Sequence, residues 1–163
     1  MHKDIFEVID YAHGLGFYTR FNTNLASLAE EEAERLVRSQ HAEIKVSIES
    51  IDPDVFADIR RGTTLGRVIE NMRKIHDAKK RLGSNYPEIY VNAILMKATL
   101  NGIPEFVAEM NRIGVTKMDF NDLNTDGLGL DITLRDGSRL WDNTLSTMPE
   151  SEVVRILEAD LPS

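Results

Sequence analysis

Apolar residues along this chain alternate between two spacings, every third or fourth position in some stretches and every second in others. Ile5, Val8, Ile9 and Ala12 keep the helical spacing behind Asp4 and Glu7, which stand in capping-box positions, until Gly14 and Gly16 stop the run. Residues 17–24 then read as a strand, and Ser27 with Glu30 makes a second capping box ahead of a helix to about Ser39. Residues 44–49 form the next strand. An Asp-Pro turn leads to a helix from about Leu65, in which Leu65, Val68, Ile69, Met72, Ile75 and Leu82 keep the period. Residues 83–87 break the pattern, and residues 89–96 form a third strand. Pro104 stands in the first turn of a helix carrying Phe106, Val107, Met110 and Ile113, ended by Gly114, and residues 117–121 form a fourth strand. From Leu123 the pattern loosens into turns, followed by a last helix with Thr147 and Glu150 as its capping box and Val153, Val154 and Leu157 on its inward face.

Single helices between successive strands imply parallel strands joined by right-handed crossovers, hence an α/β fold. Strands of an open, doubly wound sheet are apolar on both faces, because helices cover both. Here one parity carries the polar residues while the other is largely apolar. Arg20, Asn22 and Asn24 come first, then Lys45, Ser47 and Glu49, then Asn92, then Lys117, Asp119 and Asn121. A polar face recurring on all four strands predicts a curved sheet around a hydrated lumen, a partial (β/α) TIM-type barrel. The alternative is an ordinary sheet with one solvated face.

Composition narrows the picture. The chain has 163 residues, 42% hydrophobic and 28% charged, the make-up of one folded domain covering 1–163. A complete eight-unit barrel takes about 250 residues. Acidic residues outnumber basic ones 27 to 19, and the Lys and Arg residues are scattered, so a nucleic-acid partner lacks its electrostatic footprint. No apolar run approaches the ~20 residues that span a bilayer and the N-terminus lacks a signal-peptide core, which predicts a cytoplasmic protein without a membrane partner. With no cysteine, the chain has neither disulfides nor thiolate metal ligands.

Familiar catalytic motifs are missing: there is no phosphate-binding loop, Gly-x-Ser-x-Gly or His-Glu-x-x-His. His2, His13, His41 and His76 are isolated on helices or their ends and receive no role. Asp122, Asn124, Asp126 and Gly127 match the first half of a calcium loop, but Leu130 and Thr133 occupy later ligand positions, so no metal site is assigned. The polar strand face is the stronger candidate. Ser47 and Glu49 lie at the carboxyl end of their strand, where parallel α/β folds bind ligands, and suit a polyol or an amine. Asn24 adds an amide. Arg60 and Arg61, returned toward the strand ends by the Asp-Pro turn, have the forked guanidinium that holds a carboxylate.

These segments together resemble the radical S-adenosylmethionine (radical SAM) superfamily, especially its peptide-modifying and cofactor-maturation members, over about residues 5–121. Phe21-Asn-Thr-Asn24 is similar to the family's third strand, which commonly ends Thr-Asn-Gly, with Leu25 in place of the glycine. Lys45-Val-Ser-Ile-Glu49 resembles the fourth strand, usually ending Ser-x-Asp. Ile59-Arg-Arg-Gly62 with Val68-Ile-Glu-Asn71 resembles the entry to the fourth helix, Val91-Asn-Ala-Ile-Leu-Met96 with Asn101 the fifth strand and its loop, and the stretch from Gly114 to Asn121 the sixth. The resemblance implies S-adenosylmethionine and a [4Fe-4S] cluster as cofactors, with cluster cysteines that this chain lacks. It implies that Ser47 and Glu49 meet the sugar or amino-acid part of S-adenosylmethionine, Arg60 or Arg61 its carboxylate and Asn101 its methionine region, with Asn24 beside them. Arg20, Asn22, Lys45, Asn92, Asp119 and Asn121 would face a small-molecule or peptide substrate in the lumen.

The Gly-Gly-Glu-Pro segment of the family's second strand is also missing, so the expectation is a fragment that carries strands three to six, its N-terminal strands lost. Its parent would cleave S-adenosylmethionine to a 5′-deoxyadenosyl radical for hydrogen abstraction, and the cysteine-free chain alone would be inactive. The other reading is a cluster-free partial barrel that binds a small metabolite. A truncated barrel edge would favour self-association.

Overall fold

The structure, a computed structural model, describes residues 4–40, 42–122, 137, 142, 144–145 and 148–159. In chain order the elements are α1 Ile5–Gly14, β1 Arg20–Thr23, α2 Glu30–Arg38, β2 Glu43–Ser47, α3 Pro53–Ile59, α4 Leu65–Leu82, β3 Glu88–Leu95, α5 Lys97–Leu100, α6 Ile103–Ile113, β4 Lys117–Asp122 and α7 Glu150–Ala159. The four strands are all parallel and lie in the order β1-β2-β3-β4. Each crossover therefore steps one strand in the same direction. Crossovers of one hand that never reverse direction place their helices on one side of the sheet, which is barrel winding instead of double winding.

The register separates the faces cleanly. Ile44, Val46, Ile89 and Val91 are fully buried under the helices, where they meet Leu36, Val68, Met72, Ile75 and Met110 in one core. Phe106 of α6 closes its edge with an edge-to-face contact to Phe120 of β4, ring centroids 6.0 Å apart. The opposite parity carries the polar residues.

Local chemistry sets the helix ends, sometimes at positions the spacing misplaced. The Thr64 hydroxyl caps α4 by accepting from the Arg67 N–H at 3.3 Å, and Gly83 ends α4 in the left-handed conformation. The Ser27–Glu30 capping box does not form. Residue 29 is the N-cap of α2, and the Glu32 carboxylate accepts its N–H at 2.7 Å, because Ala33, Leu36 and Val37 must face the core. Asp4 caps α1 without a side-chain capping bond. The Asp-Pro turn is instead the start of α3: Asp52 Oδ1 accepts from the Asp54 and Val55 N–H groups at 2.8 and 3.0 Å, with Pro53 in the first turn. The short α5 was not legible from spacing. On α7, Val153 is half-buried but Val154 is 42% exposed, so the predicted inward face is corrected there; Thr147 and the side chain of Leu157 lie outside the described residues.

Candidate functional site

The polar face is organised in rows that run across the strands. Arg20, Glu43 and Glu88 are register partners nearest the amino ends. Asn22, Lys45, Tyr90 and Lys117 make the second row, and Ser47, Asn92 and Asp119 the third. Asn121 pairs in register with Ile94 beyond them. Asn24 follows directly after the carboxyl end of β1, and Glu49 stands two residues beyond the end of β2. Thus Arg20, Asn22, Lys45, Ser47, Asn92, Asp119 and Asn121 share one surface, as the alternation predicted.

Charge is matched within the rows. Arg20 reaches Glu43 at 3.3 Å, and Lys117 reaches Glu88 at 3.0 Å and Glu43 at 3.9 Å. Glu88 holds the Lys117 ammonium above its ordinary pKa by hydrogen bonding to it. One row up, the Lys45 ammonium donates to Asp119 Oδ2 at 3.2 Å and lies 4.7 Å from the Tyr90 ring centroid, a cation–π position. Asn121 Nδ2 donates to Asn92 Oδ1 at 2.9 Å, leaving the Asn92 amide nitrogen as a donor and the Asn121 carbonyl as an acceptor. Glu43, Glu88 and Tyr90 escaped sequence reading. The two glutamates stand just before the predicted strand starts, and the tyrosine passes for an apolar residue; extending the alternation by one position would have found the glutamates.

At the carboxyl end of β2, Arg60 departs from expectation. Its Nε donates to Glu49 Oε2 at 2.8 Å and an η nitrogen donates to Oε1, a fork on a carboxylate whose side chain is 1% exposed. That hydrogen bonding raises the Arg60 pKa further. Arg60 is thus brought to Glu49 by α3 and is engaged by it. Arg61 lies exposed in the stretch between α3 and α4. Asn101 is exposed at the C-cap of α5, in the connection that leaves the carboxyl end of β3. Asn24 is exposed, its Oδ1 accepting from the Ala26 N–H at 3.2 Å, which leaves its amide nitrogen as a donor.

The Ser47 hydroxyl, the amides of Asn24 and Asn101 and the exposed Arg61 guanidinium are the kinds of donor that a ligand with hydroxyls and a carboxylate, such as S-adenosylmethionine, would need. Glu49 and Arg60, by contrast, are engaged with each other. The site does not suit an iron–sulfur cluster, since the chain has no thiolate to ligate iron. Among the described residues no group of three or more His, Asp or Glu could hold a metal ion. The calcium-like stretch from Asn124 to Thr133 lies outside the described residues. Among described residues no helix is long and apolar enough to cross a membrane.

No family model matches the chain. Mycofactocin maturase MftC of Mycolicibacterium smegmatis is 20% identical over 130 residues, 80% of this chain and 31% of that protein. Among solved structures, SuiB of Streptococcus suis matches with a TM-score of 0.63 at 18% identity, covering 77% of this chain and 28% of SuiB. SuiB bound to S-adenosylmethionine matches with a TM-score of 0.60 at 18% identity, over 73% of this chain and 26% of that one. SuiB bound to its precursor peptide SuiA gives 0.60 at 17% identity, over 73% and 25%. The chain thus spans about a third or less of the length of these proteins. It is similar in sequence to MftC and shares with SuiB a parallel (β/α) barrel winding, of which it carries a part.

Proposed function

We propose that residues 1–163 form one domain supplying the S-adenosylmethionine-binding wall and part of the substrate lumen of a cytoplasmic radical SAM enzyme. Bound in the whole enzyme, S-adenosylmethionine would supply, on one-electron reduction with release of methionine, the 5′-deoxyadenosyl radical needed for hydrogen abstraction from the substrate. This chain has no cysteine to ligate a cluster, so binding and orientation are assigned to it and electron delivery is not.

One observation carries the reading: Ser47, Asn92 and Asp119 form a continuous polar row whose carboxyl end is ringed by Asn24, Glu49 and Arg60, the place where parallel barrels bind ligands. Ser47 and Asn24 offer a hydroxyl and an amide to the sugar or amino-acid part of S-adenosylmethionine. Glu49 and Arg60 act as one rigid unit, which passes the carboxylate-binding role to the exposed Arg61, with Asn101 toward the methionine end. Arg20, Asn22, Lys45, Asn92, Asp119 and Asn121 face the substrate. The precursor peptide bound by SuiB supports a peptide there, beside a small molecule. The β1 and β4 edges supply the surface for self-association.

The lack of cysteine favours a second reading, a cluster-free module that binds another small metabolite. Titrating isotope-labelled chain with S-adenosylmethionine to millimolar concentration separates the two by nuclear magnetic resonance. Amide shifts at Asn24, Ser47 and Glu49 are expected; silence there, with a response of the same amides to a different metabolite, installs the second reading. Production of 5′-deoxyadenosine by the chain alone, given iron, sulfide and reductant, would contradict the division of labour.

A further inference from the structure

Leu25 is a buried leucine, 2% exposed, held at φ 49° in the left-handed region that L residues with a Cβ avoid. It follows Asn24 at the carboxyl end of β1. The conformation costs about 1–2 kcal/mol for such a residue, so surrounding contacts must impose it. Two of them grip its peptide groups. The Thr23 hydroxyl accepts the Leu25 N–H at 2.9 Å, and Asn71 Nδ2 donates to the Leu25 carbonyl at 2.9 Å.

Asn71 is itself 2% exposed, on the core-facing side of α4, 46 residues from Leu25 in sequence. Its Oδ1 accepts from the Lys74 ammonium at 3.2 Å, and Lys74 also donates to the Leu28 carbonyl at 3.3 Å. Two side chains of one helix, a turn apart, therefore hold two carbonyls of the β1–α2 connection. A buried amide with both its ends committed to such bonds is costly to misplace, which makes it a precise strut.

We infer that Asn71, seconded by Lys74, is a positioning residue for the ligand site: it locks Leu25 left-handed and so turns the Asn24 amide nitrogen toward the carboxyl end of the lumen. Asn71 touches no ligand in this scheme and acts through the backbone of residues 24–28. The inference rests on the S-adenosylmethionine reading above, which it deepens.

The test is the same titration on the full 163-residue chain with Asn71→Asp, which keeps shape and volume but removes the donor to Leu25, and Thr23→Val, which releases the other side of the turn. Ile75→Val, on the same helix and fully buried, supplies a destabilised control with the turn intact. Affinities are compared at a temperature where each variant is folded. Asn71→Asp and Thr23→Val are each expected to weaken S-adenosylmethionine binding about five- to tenfold, the scale of one lost hydrogen bond. The three-bond amide coupling of Leu25 should leave its left-handed value, and Ile75→Val should change neither readout. Should Asn71→Asp fail to fold, Thr23→Val decides alone. Binding indifferent to the turn variants, or weakened equally by Ile75→Val, overturns the inference and leaves the binding site standing. An unaltered chain silent to S-adenosylmethionine removes the reading and the inference together.

Discussion

Arg60 closes over Glu49 with two nitrogens of its guanidinium, one of them Nε at 2.8 Å from Oε2, and the carboxylate beneath it is almost fully sealed from water. A buried carboxylate with a forked partner is stable only while the partner stays, since the attraction offsets a large desolvation cost. Truncating Arg60→Ala should therefore destabilise the chain by about 3 kcal/mol, at the lower end of the usual range because the arginine side chain is 30% exposed. Arg60→Lys keeps the charge but not the fork and should recover less than half of that loss. Urea unfolding measures both; a cost below about 1 kcal/mol for Arg60→Ala would place the pair among weak surface bridges.

Gly114 ends α6 at φ 86°, and a Cβ there would lie 2.4 Å from His76 Nδ1 on α4. Gly114→Ala meets both the left-handed penalty and this collision, so a loss of about 2 kcal/mol or more is expected. In the His76→Ala background the same change should cost only the backbone share, about 1 kcal/mol. A double-mutant cycle with thermal or urea melts reads the difference, and equal costs in both backgrounds would show that the imidazole moves aside freely.

Burial holds the His76 pKa below its ordinary value, assisted by Lys80 and Lys79 and opposed by Asp77. A depressed folded pKa means that the unfolded chain takes up the proton first. The His76 contribution is therefore present above the unfolded value of about 6.5 and is lost as pH falls through the lower folded pKa. Between pH 7 and 5 the unaltered chain should lose more stability than His76→Gln does. Parallel stability–pH curves for the two would contradict this.

Lys45 is proposed to face the substrate and Ser47 the cofactor, two positions apart on one strand. Lys45→Met keeps the aliphatic stem over the Tyr90 ring and removes the charge that meets Asp119. It should change stability by no more than about 1 kcal/mol and leave S-adenosylmethionine affinity within about twofold. Ser47→Ala should weaken that affinity about five- to tenfold. Titration of both variants checks the division, and the reverse ranking would exchange the roles.

The alternation of strands and helices, and the side of each strand that is polar, could be read from residues in order. Both are local properties, set by where a side chain points on a pleated strand or a helix turn. Alternation alone puts Ser47, Asn92 and Asp119 on one face, and strand pairing sets them in register. Pairings were a different matter. Whether Arg60 would reach a ligand or Glu49 turned on α3, a helix that seven residues hide behind an Asp-Pro signal. Lys45 and Asp119 are 74 positions apart, and Asn71 and Leu25 46 apart, so no spacing rule connects them. Such contacts follow from strand register and from how α4 packs across the sheet, and these are settled by burying the core as a whole. The left-handed Leu25 shows the limit most sharply: its own chemistry argues against that backbone, and the polar groups that impose it sit on β1 and on α4, brought together only by the fold.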